Sequence, residues 1–362
     1  MSLHLSHIRN WFLQSPPAEW ALHRIRELLI GALRQGPIPQ HVAFVMDGNR
    51  RFAKTHHIET VEGHNLGFEA LAKVLEVCYK SGVKVVTIYA FSIENFNRSK
   101  YEVDALMEMA RVKLVQLAQH GDLLDRYGAC VRVLGQRDLV KPDVLEAIDR
   151  AVAMTSHNTK AVLNVCFPYT SRNEITTAIR DTVVSYNKPT RPTLKRPFSE
   201  THITRNIRAA QLSTVVEESP SPEPQDVSRT QSPLEESDKD NEHDSIASSS
   251  TLNVSTTSTN PSATHKHRDS LPDPESIDVS ILDSHMFTAD NPPLDLLVRT
   301  SGVERLSDFM LWQCHENTTI VFLSCLWPEF DLWYFLPVLL EWQWNQKKHE
   351  EAGRGRQRIK SG

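Results

Sequence analysis

Aromatic side chains are missing from one long stretch of this 362-residue chain: none of its 13 Phe, 7 Trp and 7 Tyr falls between Glu217 and Ser270. That stretch holds 19 Ser or Thr and 11 acidic residues against only 4 basic ones. So little apolar surface cannot offset the entropy of ordering the segment. It is predicted to be a disordered insert acting as a linker, with flanks reaching to about 188–278. The formal charge of −5 belongs to this insert, and the remainder is close to neutral. Other absences exclude function classes. No apolar run approaches the roughly 20 residues a membrane span requires. No charged-then-apolar leader with a small-residue cleavage site opens the chain. No Cys-x-x-Cys pair offers a structural zinc site. The five cysteines (Cys78, Cys130, Cys166, Cys314, Cys325) are odd in number and widely spaced, and four fall in apolar runs. They are expected to be reduced thiols in the core of a cytosol-facing protein. Charge balance outside the insert leaves no footprint for nucleic acid, and no P-loop or nucleophile motif is present.

What is present begins with a segment, 1–36, rich in Trp, Leu and Arg. Trp20, Leu22, Ile25, Leu28, Leu29 and Leu33 recur at helical spacing, with Arg24, Arg26 and Arg34 between them. Two readings stand: a helix packed on the domain, or an amphipathic helix lying on a membrane surface. From residue 41 short apolar runs alternate with longer amphipathic ones. Strands are expected at His41–Met46, Val83–Phe91, Cys130–Leu134, Ala161–Phe167, Leu294–Thr300 and Thr318–Leu323. Helices are expected near Leu66–Lys80, Glu102–Tyr127, Lys141–Ser156, Arg172–Tyr186, Arg305–Gln313 and Asp331–Glu351. The alternation predicts an α/β fold, a six-stranded and mainly parallel sheet flanked by helices. One domain, made of 37–187 and 279–351, would then be interrupted by the insert and followed by a basic tail, 352–362. A surface loop tolerates such an insertion because closure entropy grows slowly with length.

In a parallel sheet of this kind ligands bind beyond the carboxyl ends of the strands. After the first strand come Asp47, Gly48, Asn49, Arg50 and Arg51. An aspartate there is able to hold a hard divalent cation, and a helix start with basic residues suits a phosphate. The competing reading is an N-capped helix with a solvated basic first turn, which opposes the helix dipole. After the second strand come Phe91, Ser92, Asn95 and Arg98, where Asn97 or Ser99 could instead cap the next helix. After the fifth come Arg299, Thr300, Ser301 and Gly302, then Arg305 and Ser307, two guanidiniums and two hydroxyls around a glycine turn opening a helix, which suit a phosphate group. His64, near a helix start, reads as readily as a packing residue as a functional one.

The segments HVAFVMDGNRRFAK, GHNLGFEAL, TIYAFSIENFNRSKYEV, DLLVRTSGVERLSDFMLWQ and LWPEF resemble, in order and spacing, the motifs of the cis-prenyltransferases. These are the undecaprenyl and dehydrodolichyl diphosphate synthases. The resemblance covers about 41–187 and 279–345, and GNRR, NVCFPYTSR and CHENTTIVF look like the eukaryotic, fungal-like dolichol branch. The aspartate-rich DDxxD of trans-prenyltransferases is absent. The resemblance implies repeated addition of isopentenyl diphosphate to farnesyl diphosphate, giving a long polyprenyl diphosphate for dolichol synthesis and protein glycosylation, in a fold with a hydrophobic tunnel between the helices near Leu66–Lys80 and Glu102–Tyr127. It implies Mg²⁺ at Asp47. Gly48, Asn49, Arg50, Arg51 and His64 would bind the allylic diphosphate. Phe91, Ser92, Asn95 and Arg98 would support both sites, with Asp47, Ser92 and Asn95 in catalysis. Arg299, Arg305 and Ser307 would bind isopentenyl diphosphate, and Glu102 would be structural. The C-terminus lacks the Arg-x-Gly ending of self-sufficient homodimers, so the resemblance implies a heteromeric complex with a Nogo-B-receptor-like accessory subunit, held peripherally at the cytosolic face of the endoplasmic reticulum membrane. The alternative reading is that this chain is itself the non-catalytic accessory subunit.

Overall fold

A computed structural model describes residues 16–119, 123–188 and 271–360, with no side-chain account of 16–19, 23 and 352–360. The expected disorder of the insert falls almost wholly outside the described residues, as does the segment before Pro16. Chain contacts divide the protein into one unit of Met1–Ser185 with Pro274–Gly362 and a second of Tyr186–Asp273. The sheet and the residues singled out at its strand tips all belong to the first unit.

Six strands form one wholly parallel sheet: β1 His41–Val45, β2 Val85–Tyr89, β3 Ala129–Leu134, β4 Ala161–Cys166, β5 Leu296–Arg299 and β6 Thr319–Phe322, in spatial order β3-β4-β2-β1-β5-β6. All six lie where the apolar runs placed them. The central strand β1 is buried at every position. Its alternate residues split between two cores, Val42 and Phe44 on one face and Ala43 and Val45 on the other, as the two-residue side-chain period requires. Phe44 meets the rings of Trp327, Phe330 and Phe335 with centroids 5.9, 6.0 and 5.5 Å away. The segment after β6 is thereby tied beneath the strand that carries Asp47.

The helices are α1 Pro16–Leu33, α2 Asn49–Thr55, α3 Thr60–Ser81, α4 Lys100–Ala118, α5 Leu123–Tyr127, α6 Pro142–Thr155, α7 Ser171–Tyr186, α8 Val279–Ser284 and α9 Leu332–Lys360. α3 starts at Thr60, ahead of the expected Leu66, and α9 runs past the expected 351. The pattern read as one helix over Glu102–Tyr127 is two, because Gln119 leaves helical geometry at ψ 145°. α1 buries Ile30 and Leu33, and the Leu33 carbonyl at its end accepts 2.7 Å from Gln343 Nε2 of α9.

One expected helix does not form. Arg305–Gln313 is a run of turns and bends in which Ser307, Asp308 and Met310 take positive φ of 51°, 59° and 48°. Leu306, Phe309 and Met310 do bury their apolar groups in the second core. The helical spacing therefore marked real burial, achieved by a contorted chain and not by a helix. Phe309 stacks on Tyr89 at 4.6 Å, and Asp308 is held by the start of α7.

A buried polar chain crosses the sheet. His41 Nδ1 donates to the Pro292 carbonyl at 3.0 Å, so Nε2 accepts from the Thr87 hydroxyl at 2.7 Å, and Thr87 accepts from Asn164 at 3.0 Å. Burial pushes the His41 pKa down to about 4, the bond to the Pro292 carbonyl opposing it.

Candidate active site

Parallel strands place all their carboxyl ends on one rim, and the three tips singled out in the sequence lie there on the adjacent strands β2, β1 and β5. Beyond β1 the chain turns at Gly48, with φ 113°, a value an L side chain rarely adopts. A Cβ there would also lie 3.1 Å from the Leu326 Cα. The turn launches α2, which rests on α3 through Gly63 and Gly67, four residues apart on one helix face. A Cβ at Gly67 would come 2.4 Å from Asn49 Oδ1, and one at Gly63 would come 2.7 Å from the Asn49 carbonyl.

Asp47 and Arg299 join the first and fifth tips. Arg299 Nη2 donates to Asp47 Oδ2 at 2.8 Å, while its Nη1 reaches the Arg305 carbonyl at 2.5 Å and Ser307 Oγ at 2.6 Å. Arg305 Nε lies 3.3 Å from the same hydroxyl, and Arg51 lies 3.8 Å from Asp47. Thr300 locks the backbone beneath, donating to the Asp47 carbonyl at 2.7 Å. Burial pushes the Asp47 carboxyl up, but the hydrogen bond from Arg299, aided by the charges of Arg299 and Arg51, holds it below the ordinary carboxylate value.

A second cluster centres on Glu102. Its carboxylate pairs with Arg98 at 2.9 Å and lies 3.9 Å from both Arg50 and His64. Burial first, and then the charge of Arg98, push the His64 pKa down to about 4, so the ring is neutral at ordinary pH. Its Nε2 is buried without a hydrogen-bond partner, as are Asn49 Oδ1 and Arg299 Nε. Ser92 and Asn95 form a reciprocal capping box on the turn Ile93–Asn97: Ser92 N donates to Asn95 Oδ1 at 3.1 Å, and Glu94 N donates to Ser92 Oγ at 3.2 Å. Phe91 is buried against Phe96. Ser99 caps α4, so the capping read for that position holds alongside the site residues.

Both clusters open into one cavity of about 480 Å³. Asp47, Asn49, Arg50, His64, Arg98, Arg299, Arg305 and Ser307 surround its rim, and Leu71 and Phe68 of α3 face Leu106, Ala110, Leu114 and Leu117 of α4 below. One end is charged and the other is mostly hydrocarbon, apart from Lys113, whose ammonium lies 5.0 Å from the Phe68 ring centroid.

A prenyltransferase family described as putative undecaprenyl diphosphate synthase matches residues 45–350, which include both clusters and both walls of the cavity. This chain belongs to that family. A dehydrodolichyl diphosphate synthase complex subunit of Schizosaccharomyces pombe is 40% identical over 94% of this chain and 98% of its own length. The human subunit of the same name is 35% identical over 88% of this chain and 72% of its own length. Among solved structures, lavandulyl diphosphate synthase from Lavandula x intermedia superposes with a TM-score of 0.53 at 22% identity, covering 84% of this chain and 95% of that one. That likeness establishes the fold.

Within this prenyltransferase, the site residues named from sequence sit together, though not in one role. Gly48 and Phe91 shape the turn and the wall, Ser92 and Asn95 brace the second tip, and Arg50, Arg98, His64, Arg299, Arg305 and Ser307 present polar atoms to the cavity. Arg51 stands outside, beside Asp47 and half exposed. Sequence reasoning missed Tyr89 as a support, took the Thr300 hydroxyl for part of the phosphate cluster where it bonds the Asp47 backbone, and undervalued Glu102 as the hub. It also passed over Trp327, whose indole donates to the Gly67 carbonyl at 2.7 Å; the LWPEF motif was the available signal. Among the described residues no group of three or more His, Cys, Asp or Glu is arranged to cage a metal. The donor set is one half-exposed carboxylate beside arginines. That fits Mg²⁺, which keeps several waters and binds through one or two carboxylates together with substrate phosphates.

Proposed function

We propose that this chain is the catalytic subunit of a cis-prenyltransferase that condenses isopentenyl diphosphate repeatedly onto farnesyl diphosphate, giving a dehydrodolichyl-type diphosphate for dolichol synthesis and protein glycosylation. The observation that carries this reading is the pairing of Asp47 with Arg299 at the charged mouth of a cavity whose floor is apolar. Catalysis by ionisation of an allylic diphosphate needs fixed positive charge where the leaving group gathers negative charge. Arg50 and Arg98 supply it at the rim, with Arg51 adding charge from outside beside Asp47, and neutral His64 offers a hydrogen bond without adding charge. Arg299, Arg305 and Ser307 hold the second diphosphate, so that the two reactants are positioned side by side. Mg²⁺ held at Asp47 with a diphosphate would add Lewis-acid stabilisation of the leaving oxygens. The product chain extends between α3 and α4, gaining about 0.8 kcal/mol for each buried CH₂.

The S. pombe and human relatives are named as complex subunits, which supports a heteromeric assembly; its partner in this reading is a Nogo-B-receptor-like accessory subunit. The assembly would sit peripherally at the cytosolic face of the endoplasmic reticulum; attachment to a membrane surface is supported by α1, which exposes Trp20, Ile25 and Leu28 beside Arg24. No described helix is long and apolar enough to cross a membrane. The deciding assay follows radiolabelled isopentenyl diphosphate into long products from farnesyl diphosphate, with and without the partner subunit. Asp47→Ala should reduce incorporation by about a thousandfold, the scale of losing a principal electrostatic stabiliser, while circular dichroism and partner binding persist. Unchanged product formation by that variant would assign the chain to the accessory role instead.

A further inference from the structure

The contorted loop that carries Arg305 and Ser307 is held from outside the cavity. Asp308 receives two hydrogen bonds from Arg172, one from the backbone N–H at 3.0 Å and one from Nε at 2.7 Å. Its carbonyl accepts from Ser171 N at 2.7 Å, and Leu311 N donates back to Ser171 Oγ at 2.9 Å. The first turn of α7 is thus capped in trans by this loop, with an anion at the positive end of the helix. Arg172 also reaches Glu94 Oε1 at 3.1 Å on the turn of the second tip, and Tyr89 OH reaches the Ser307 carbonyl at 3.2 Å. Asp308 is largely buried, whereas Arg172 and Glu94 are exposed, so the Arg172–Asp308 pair carries the weight and the Glu94 contact adds little.

Ser307, Asp308 and Met310 are non-glycine residues in the left-handed region. Such conformations persist only where the surroundings over-determine them, and they gather where a side chain must be aimed. Here the residue being aimed is Ser307, whose hydroxyl faces Arg299 and Arg305. We infer that Arg172 and Asp308 are positioning residues for the homoallylic diphosphate: their clamp on α7 fixes the left-handed turn that presents Ser307 and Arg305 to that substrate. Neither touches substrate. The inference rests on the functional reading above and goes further by assigning two residues, distant in sequence, to one of its two substrates.

The experiment measures KM separately for isopentenyl and farnesyl diphosphate in the full chain with its partner subunit, for the parent and for Arg172→Ala, Asp308→Ala and Asp308→Asn. Loss of the clamp should raise KM for isopentenyl diphosphate about tenfold in the two alanine variants, as expected for a lost charge-assisted bond, with KM for farnesyl diphosphate unchanged. Asp308→Asn should show the same rise as Arg172→Ala, since its amide oxygen still accepts from the Arg172 backbone N–H while its NH2 group cannot accept from Nε, and asparagine tolerates φ near 59°, so the turn is kept. Arg172 is exposed, so Arg172→Ala answers the question even if Asp308→Ala does not fold. An isopentenyl diphosphate KM within twofold of the parent in Arg172→Ala would overturn the inference. So would equal changes in both KM values accompanied by a matching loss of thermal stability, which is the signature of a merely structural pair. A parent that incorporates no isopentenyl diphosphate would instead remove the functional reading, and the substrate assignment of the clamp with it.

Discussion

Asn49 is placed by an absence of side chain on its neighbour. Its Oδ1 occupies the space that a Cβ at Gly67 would need, and it is buried without a protein partner at the rim of the cavity. Gly67→Ala should therefore swing the amide away from the site, with a stability cost confined to crowding the buried Trp327 ring, whose Cδ1 would lie 3.1 Å from the new Cβ. The gain in helix propensity, about 1 kcal/mol, offsets much of the crowding. Initial rates should fall about tenfold, with the urea midpoint nearly unchanged. Gly63→Ala presses instead on the Asn49 carbonyl and on Ala53 Cβ, at 2.7 and 2.9 Å. Backbone cannot rotate out of the way, so this variant should lose about 1–3 kcal/mol in the same urea experiment. The two glycines look alike in the sequence, and only the identity of the atom opposite each separates a functional lesion from a structural one.

At the scale of elements, α4 forms one wall of the cavity and its small residue leaves room there. Ala110 lines the space between Leu106 and Leu114. Ala110→Phe should shorten the products, read by chromatography of radiolabelled chains, while leaving the rate of the first additions near that of the parent. The inner strands could be read from sequence because burial on both faces produces continuous apolar runs, and the strand tips followed from the parallel topology. The loop at Arg305–Gln313 was misread because an i, i+3, i+4 apolar pattern reports burial on one side and not backbone geometry. Ser92 and Asn95 were legible as tip residues, whereas their mutual capping depends on a 3₁₀ turn that periodicity does not reveal. Arg172 had no local signal at all, since its partner lies 136 residues away.

For the whole molecule the buried histidines set the response to acid. His41 and His64 both have folded pKa values of about 4, below the unfolded value near 6.5. The unfolded chain then takes up protons that the folded chain refuses, so stability is full above pH 6.5 and falls as the pH drops towards 4. For the more deeply buried His41 this amounts to about 3 kcal/mol. Asp47 acts in a lower window: its depressed pKa contributes stability that is lost only as the pH falls below about 4. Urea titrations at pH 7 and pH 5 should show the decline, and His41→Asn should remove the His41 share of it while that of His64 persists. Pyrophosphate with Mg²⁺ should raise the melting temperature through the rim residues. At a hundredfold excess over Kd the stabilisation would be about 2.7 kcal/mol, and it should vanish when the metal is chelated.

The cavity that is charged at the mouth and oily at the floor has a consequence for how a catalytic cycle ends. Its wall on α4 runs from Leu106 to Leu117, a helical rise of about 17 Å. A polymer anchored by its diphosphate outgrows that length after a few condensations, and every further unit must find somewhere apolar to lie. Turnover of long chains then becomes a partitioning problem between protein and lipid. Detergent or bilayer acts as the acceptor phase, and the same polypeptide assayed in plain buffer would stall, clogged by its own success.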